Sequence, residues 1–264
     1  MDRLYFNPNY DYNNGGLRLR MGMQKSLRDF QSNYPFSTLG ENLQLELNNR
    51  YVFGSKFYTV VGLLFQNQKA DYEGGQIQNQ TDVFANIVAL VSEQFRINMG
   101  SRLNQHGSYG SHFTYSINPS YTMGLSDQRS LKFFTALSSA FIAPSLYQLY
   151  DPYAGNEALK PEENNSFELG TAYQGLDWNL NTAYFYRNEN PSLIYDLSTY
   201  RYENAQQDAT YKGFEVQVTG KLAKKLKIDL QSTYTNTQDG DLRYLPKFSS
   251  QSALVYLINT KRQV

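Results

Sequence analysis

The chain of 264 residues contains no cysteine, one tryptophan and two histidines, and its 24 basic side chains cancel its 24 acidic ones. Without cysteine there is neither a disulfide framework nor a thiolate metal site. That suits an exported bacterial barrel, although many cytosolic chains share the lack. A formal net charge of zero gives no electrostatic case for a nucleic-acid partner or an anionic membrane surface. Long apolar runs are missing too. The stretch Val60 to Phe65, interrupted by Gly62, falls far short of the roughly 18 residues a spanning helix needs. With a mean hydropathy of −0.58, a helical membrane protein is excluded. The start, Met1-Asp2-Arg3-Leu4-Tyr5, lacks the basic-then-apolar pattern of a signal peptide. A protein bound for the outer membrane must be exported, so the expectation is that this chain is a section of a longer one.

What the chain does have is a period of two. About a dozen stretches of roughly ten residues alternate apolar and polar, as membrane-barrel strands do. From His112 to Gly124, Phe113, Tyr115, Ile117, Pro119, Tyr121 and Met123 fall on one face; Thr114, Ser116, Asn118, Ser120 and Thr122 fall on the other. Leu17, Leu19, Met21 and Met23 repeat the pattern, as do Leu43, Leu45 and Leu47, and Phe57, Thr59, Val61, Leu63 and Phe65. Phe95, Ile97, Met99 and Leu103 follow, and later Phe214, Val216 and Val218, then Ile228, Leu230 and Tyr234. Val83 to Val91 is apolar on both faces and its inward side is ambiguous; so is the facing of the last strand, near Ala253 to Ile258. The 23 tyrosines, with a ring for lipid and a hydroxyl for headgroup water, suit the girdles of a barrel.

The connections alternate in length. Gly54-Ser55, Ser92-Glu93 and Gly175-Leu176 read as tight turns, and Gly124 to Arg129 and Gly220 to Lys225 as modest ones. Between them lie longer links: Phe30 to Gly40, Asn67 to Gln80, Asn104 to Ser111, Ile142 to Glu163 and Asn236 to Lys247. Outer-membrane barrels sort loops this way, short at the periplasm and long outside. The charges Arg18, Arg20, Glu46, Arg96, Arg102, Glu168, Glu215 and Asp229 all take the polar phase. That spares the roughly 2–4 kcal/mol an Arg or Lys costs against mid-depth lipid. Together these features predict an all-β, antiparallel transmembrane barrel around a watery lumen. A soluble β protein whose polar face meets bulk water is the competing reading.

One segment carries a more specific signature. It runs Phe141-Ile-Ala-Pro-Ser-Leu-Tyr-Gln-Leu-Tyr-Asp151, then Gly155-Asn156, Leu159-Lys160-Pro161-Glu162 and Ser166-Phe-Glu-Leu-Gly170. These three ordered pieces resemble the barrel of TonB-dependent outer-membrane receptors. The run from Tyr184 through Leu193-Ile194-Tyr195 and Tyr202 to Gly213-Phe-Glu215 is similar to the same family, with cobalamin-receptor-like members nearest. The resemblance covers most of Gly16 to Thr260. It implies a barrel of about 22 strands with a plug domain inside. Against that layout residues 1–264 form one incomplete barrel domain of about 13 strands, with open edges, lacking the plug and about four final strands. It further implies a bacterial outer-membrane location and import of a scarce, large nutrient: cobalamin-like, an iron chelate or a glycan. The partners implied are outer-membrane lipid, the receptor's own plug, a TonB-type inner-membrane energy transducer and a small-molecule ligand, with no nucleic acid. The alternative is a passive porin or a surface adhesin on a similar barrel.

Enzymatic chemistry finds little footing, and no catalytic residue or cofactor is expected. Ser111 beside His112 invites a hydrolase reading, but strand neighbours point to opposite faces; His106 is the other histidine. Asp239-Gly240-Asp241 has calcium-like chemistry without the remaining ligands of an EF-hand loop, and reads as an acidic turn, so no metal is expected. Lys221, Lys224, Lys225 and Lys227 read as a solvated periplasmic turn. The ligand-binding candidates are aromatic. Tyr147, Tyr150 and Tyr153, with Asp151, lie on the longest external link, and Tyr195, Tyr200 and Tyr202 surround another external tip.

Overall fold

In the computed structural model, which describes residues 1–31, 35–238 and 245–256, one antiparallel sheet carries almost the whole chain. Two short strands, β1 (Asp2–Phe6) and β2 (Asn9–Tyr12), share the first edge, both pairing with β3 (Gly15–Phe30). There follow β4 (Phe36–Phe53), β5 (Phe57–Ala70), β6 (Gln76–Leu90), β7 (Phe95–His106), β8 (Gly110–Ser126) and β9 (Arg129–Ile142). A short helix, α1 (Leu146–Tyr150), precedes β10 (Glu162–Gln174) and β11 (Trp178–Asn190). The hairpin β12 (Leu193–Asp196) and β13 (Arg201–Asn204) stands apart, before β14 (Ala209–Ala223), β15 (Leu226–Gln238) and β16 (Phe248–Tyr256). Each long strand pairs with its sequence neighbours, apart from the excursion of the hairpin between β11 and β14. Among the described residues β16 does not return to β1, so the sheet is an unclosed part of a barrel.

The register confirms the two faces. Leu19, Leu47, Leu63, Val83, Leu103 and Phe113 stand opposite one another in a single row across six strands. All six are exposed, so they form an apolar outer wall. The next row is Arg20, Glu46, Leu64, Asp82, Asn104 and His112, in which Arg20 meets Glu46 at 3.3 Å. Asp82, with no exposed surface, receives Arg102 at 3.3 Å. Charges that would be costly against lipid therefore pair on the concave side.

The same rows settle the ambiguous stretches. Val83 lies between Leu63 and Leu103, which turns Val83, Ala85 and Ile87 outward and Phe84, Asn86 and Val88 inward. In β16, Leu254 opposes Ile228 and Ser252 opposes Leu230, so the even positions face outward; Ile258 lies outside the described residues.

Strand length is where the sequence reading needs correction. The long strands run 12 to 18 residues rather than about ten. Two expected long links shrink, to residues 71–75 and 107–109, and β4 begins at Phe36, inside a third. The ladder continues there while the outward positions turn polar, as at Asn67 and Asn79, which bond at 2.6 Å. Polarity on both faces erases the alternation without breaking the backbone pairing. The link across 143–161 is long, as expected, and a second long one spans 191–208; both leave the external end of the sheet.

Candidate functional site

The segment 143–161 folds because its polar groups satisfy one another. Ser145 caps α1: its Oγ accepts the Gln148 amide at 3.3 Å, while Gln148 Oε1 accepts the Ser145 amide at 2.9 Å. Asp151 closes the other end, its Oδ1 accepting the amides of Tyr153 and Ala154 at 3.0 and 2.8 Å. The chain then turns back, with the Gly155 amide on the Asp151 carbonyl and the Asn156 amide on that of Gln148, both at 2.9 Å. A Cβ on Gly155 would sit 2.5 Å from the Asp151 carbonyl, which is why glycine stands there. Leu146, Leu149, Ala154 and Leu159 bury together beneath. The signature pieces around Pro144, Asp151 and Gly155 thus encode a folded cap.

This cap packs inward. α1 follows β9 in the chain yet contacts β5 and β6, so the cap crosses the concave face of the curled sheet. Gln78 Nε2 donates to the Pro144 carbonyl at 3.0 Å, and the Tyr109 hydroxyl to that of Leu159 at 3.0 Å. The β12–β13 hairpin is fastened to the cap in turn. The Tyr202 amide donates to the Ala154 carbonyl at 3.0 Å, Asn156 Nδ2 to the Tyr202 carbonyl at 2.9 Å, and the Lys160 amide to Asn204 Oδ1 at 2.7 Å. Two external segments become one body.

The result gathers aromatic rings at the mouth of the lumen. Tyr202 lies edge-on to Tyr147 at 5.9 Å and to Tyr195 at 5.2 Å, and the Arg28 guanidinium lies over the Tyr147 ring at 5.9 Å. Burial pushes the Tyr72, Tyr147 and Tyr202 phenols above the usual range; nearby Asp151 adds to this at Tyr147, and Tyr195 adds to it at Tyr202. These hydroxyls stay protonated and each keeps a proton to donate.

Of the seven predicted binding residues, Tyr147, Tyr195 and Tyr202 come together, with Tyr202 between the other two. Tyr150, on the same helix, lies near Tyr109 instead. Tyr153 is exposed and faces Phe36 at 5.9 Å, and Tyr200 projects from the hairpin tip with φ 56°. Asp151 is buried with its Oδ1 engaged by the turn, a scaffold role. Sequence reasoning missed Arg28 and Tyr72, which only the curvature of the sheet brings near α1. Elsewhere, Ser111 bonds Gln105, and the ring nitrogens of His112 meet Glu163 at 2.7 Å and the Tyr109 carbonyl at 2.9 Å, so this serine and histidine do not pair. Lys221 pairs with Asp177 at 3.3 Å at the short-turn end. Asp239-Gly240-Asp241 lies outside the described residues.

Asp71 staples the external end of β4 to the β5–β6 link. Its Oδ1 accepts from Thr38 Oγ1 at 2.7 Å and from the Leu39 amide at 2.6 Å, and these bonds, that of Thr38 first, hold its carboxyl below the ordinary value. A depressed value means the staple is present above the ordinary aspartate pKa and is lost as pH falls through the lowered one. The protection factor of the Leu39 amide, its exchange rate relative to an unstructured peptide at the same pH, should therefore fall on acidification in the natural protein and show no such step in Asp71→Asn.

A family model described as "TonB dependent receptor-like, beta-barrel" matches residues 2–259. The vitamin B12 transporter BtuB of Vibrio cholerae is 29% identical over 228 residues, covering 81% of this chain and 36% of the transporter. Among solved structures, the siderophore receptor PirA from Pseudomonas aeruginosa superposes with a TM-score of 0.82 at 19% identity, over 96% of this chain and 49% of that one. A variant of the ferric enterobactin receptor PfeA from the same organism gives 0.81 at 17% identity, covering 98% of this chain and 47% of that one. The chain therefore spans about half or less of the length of the proteins it matches. The relatives are transporters and receptors, and the family resides in the bacterial outer membrane. With its family match running almost end to end and its two-faced antiparallel sheet, this chain belongs to the TonB-dependent receptors as part of their outer-membrane β-barrel.

Proposed function

We propose that this chain is a wall section of a receptor that captures a scarce, large nutrient outside the cell and imports it with energy drawn from the inner membrane. A plug domain elsewhere in the polypeptide would fill the lumen and receive the pull of a TonB-type transducer. The observation that carries the reading is the cap 143–161, bound to the β12–β13 hairpin and folded over the concave face with Tyr147, Tyr195 and Tyr202 gathered there. A passive pore gains nothing from such a cover, whereas a receptor needs a rigid, partly aromatic surface that loses little entropy on capture. The B12 and siderophore relatives agree with a large solute taken up whole. Uptake by the full-length receptor should stop when the inner-membrane energy source is collapsed, and persistent uptake would contradict import of this kind.

Capture at the rings has its own test. Truncating Tyr147 or Tyr202 to alanine is expected to cost about 1–2 kcal/mol of binding, roughly 5- to 30-fold in Kd. Tyr200→Ala, at the solvent-exposed tip, should change affinity less than about twofold. Equilibrium binding to purified full-length receptor would measure both.

A further inference from the structure

The inner wall is sorted by chemistry, and one sector joins the cap's bonding only through Gln78. On β10, β11 and β14 the inward positions are rich in charge, with Glu162, Glu189 and Arg187 in direct contact. At the external end of β3–β6 they are primary amides. The register sets Gln24 beside Asn42, Asn42 beside Gln68, and Gln68 beside Gln78. One rung below, Gln44, Gln66 and Gln80 stand side by side and end on His106. With strands about 4.8 Å apart and like-facing residues about 7 Å apart along a strand, the rungs make a patch of roughly 14 by 7 Å.

We propose that this amide patch recognises an uncharged part of the transported solute that is rich in hydroxyl or amide groups, a reading that rests on the import function above. Each primary amide offers two donors and an acceptor, and none offers charge. Among the described residues the side chains of Gln24, Gln44, Gln66 and Gln68 have no protein partner. Gln78 and Gln80 are fixed by the Pro144 carbonyl and by Asp82. His106 adds no charge, because its Nδ1 accepts the Ser108 and Tyr109 amides at 3.2 and 3.3 Å. The ionic groups directly beneath cancel in pairs, Arg20 with Glu46 and Arg102 with Asp82. The start of the cap, Ser145 to Tyr147, overhangs the patch and leaves recesses of about 220 and 180 Å³ on its two sides. Charge is confined to the rim of the larger recess, where Arg28 and Lys69 stand with Glu41, so an anionic chelate seated on the amides would exchange its hydration chiefly for neutral dipoles.

The test uses purified full-length receptor and three probes: cyanocobalamin, a net-neutral macrocycle rimmed with amides; maltoheptaose, neutral and hydroxyl-rich; and ferric enterobactin, an anionic chelate. One of the neutral probes should bind at least about tenfold more tightly than ferric enterobactin, and which one it is separates an amide-bearing from a sugar-like solute. Gln66→Ala with Gln68→Ala should weaken that binding about tenfold. If that variant fails to assemble, the isosteric pair Gln66→Glu with Gln68→Glu should give the same loss. Tighter binding of ferric enterobactin, no binding of either neutral probe, or affinity within about twofold of the natural protein in the substituted receptor would overturn the proposal. Energy-dependent uptake is read separately, so a failure of the import reading would show there rather than in probe preference.

Discussion

Replacing Ile117 with arginine in the full-length receptor should cost about 2–4 kcal/mol of folding stability in lipid vesicles, while Asn118→Arg, one residue along, should cost about 0.5 kcal/mol or less. Ile117 lies halfway along β8, exposed on the outer wall between Met99 and Leu137. An arginine there must bring its guanidinium into acyl chains or distort the bilayer to reach water. Asn118 faces the opposite way, beside Asn98 on the concave side, where β7 already carries Arg96 two residues before Asn98 and Arg102 four residues after it. The contrast between adjacent positions isolates the solvent on each face, because backbone, strand and depth are nearly shared. Urea-driven unfolding of the two variants would measure it, and equal losses would deny that the faces differ.

A second large loss is expected at Gly170, the last residue of the Ser166-x-Glu168-x-Gly170 piece. It pairs with Phe134 on one side and Ala183 on the other. A Cβ there would run into the Phe134 ring and lie 2.5 Å from the Thr182 carbonyl. The ring can swing aside, but the carbonyl belongs to the neighbouring strand and cannot. Gly170→Val should therefore destabilise the barrel by about 1–3 kcal/mol through overpacking. Gly170→Ala should show a smaller loss, part of which Phe134→Ala restores by removing the ring. The same arrangement recurs where Phe84 covers Gly62 and Phe185 covers Gly213, each ring turned inward over a glycine on the adjacent strand. These aromatics at polar-phase positions cover exposed backbone rather than contradict the alternation. Thermal or urea unfolding of the three variants checks the order.

The outer wall was legible because a strand's side-chain period is independent of tertiary context: Phe113, Ile117 and Tyr121 face outward as their spacing requires. Legibility failed where that contrast vanished. Asn67 to Lys69 and Gln78 to Gln80 are polar on both faces and read as loop, although the ladder runs through them. The inward glycines and their covering rings were also invisible, since the partner is chosen by register between strands. At the candidate site, Tyr147 and Tyr195 could be placed on external segments from the sequence alone. Their meeting could not, because it depends on Asn156 and Asn204 fastening one segment to the other. Arg28 reaches Tyr147 from a strand more than a hundred residues earlier, and no local pattern announces a curvature that long. Asp151 illustrates the converse: a carboxylate on an external loop looked available to ligand, but its oxygen is committed to two backbone amides.

This section of the wall contains no cysteine, so single cysteines placed in it can report the solvent at chosen sites in the full-length receptor, freed of any cysteine elsewhere and reconstituted in bilayers. The direct measurement places them at residues 113, 117 and 121 and at residues 114 and 118, and compares labelling by a water-soluble maleimide with quenching by bromine set at known depth in the acyl chains. Cysteines replacing Phe113, Ile117 and Tyr121 should resist the maleimide and sense the bromine, and those replacing Thr114 and Asn118 should do the reverse. Aqueous labelling at the first set together with lipid quenching at the second would contradict a wall with oil outside and water within.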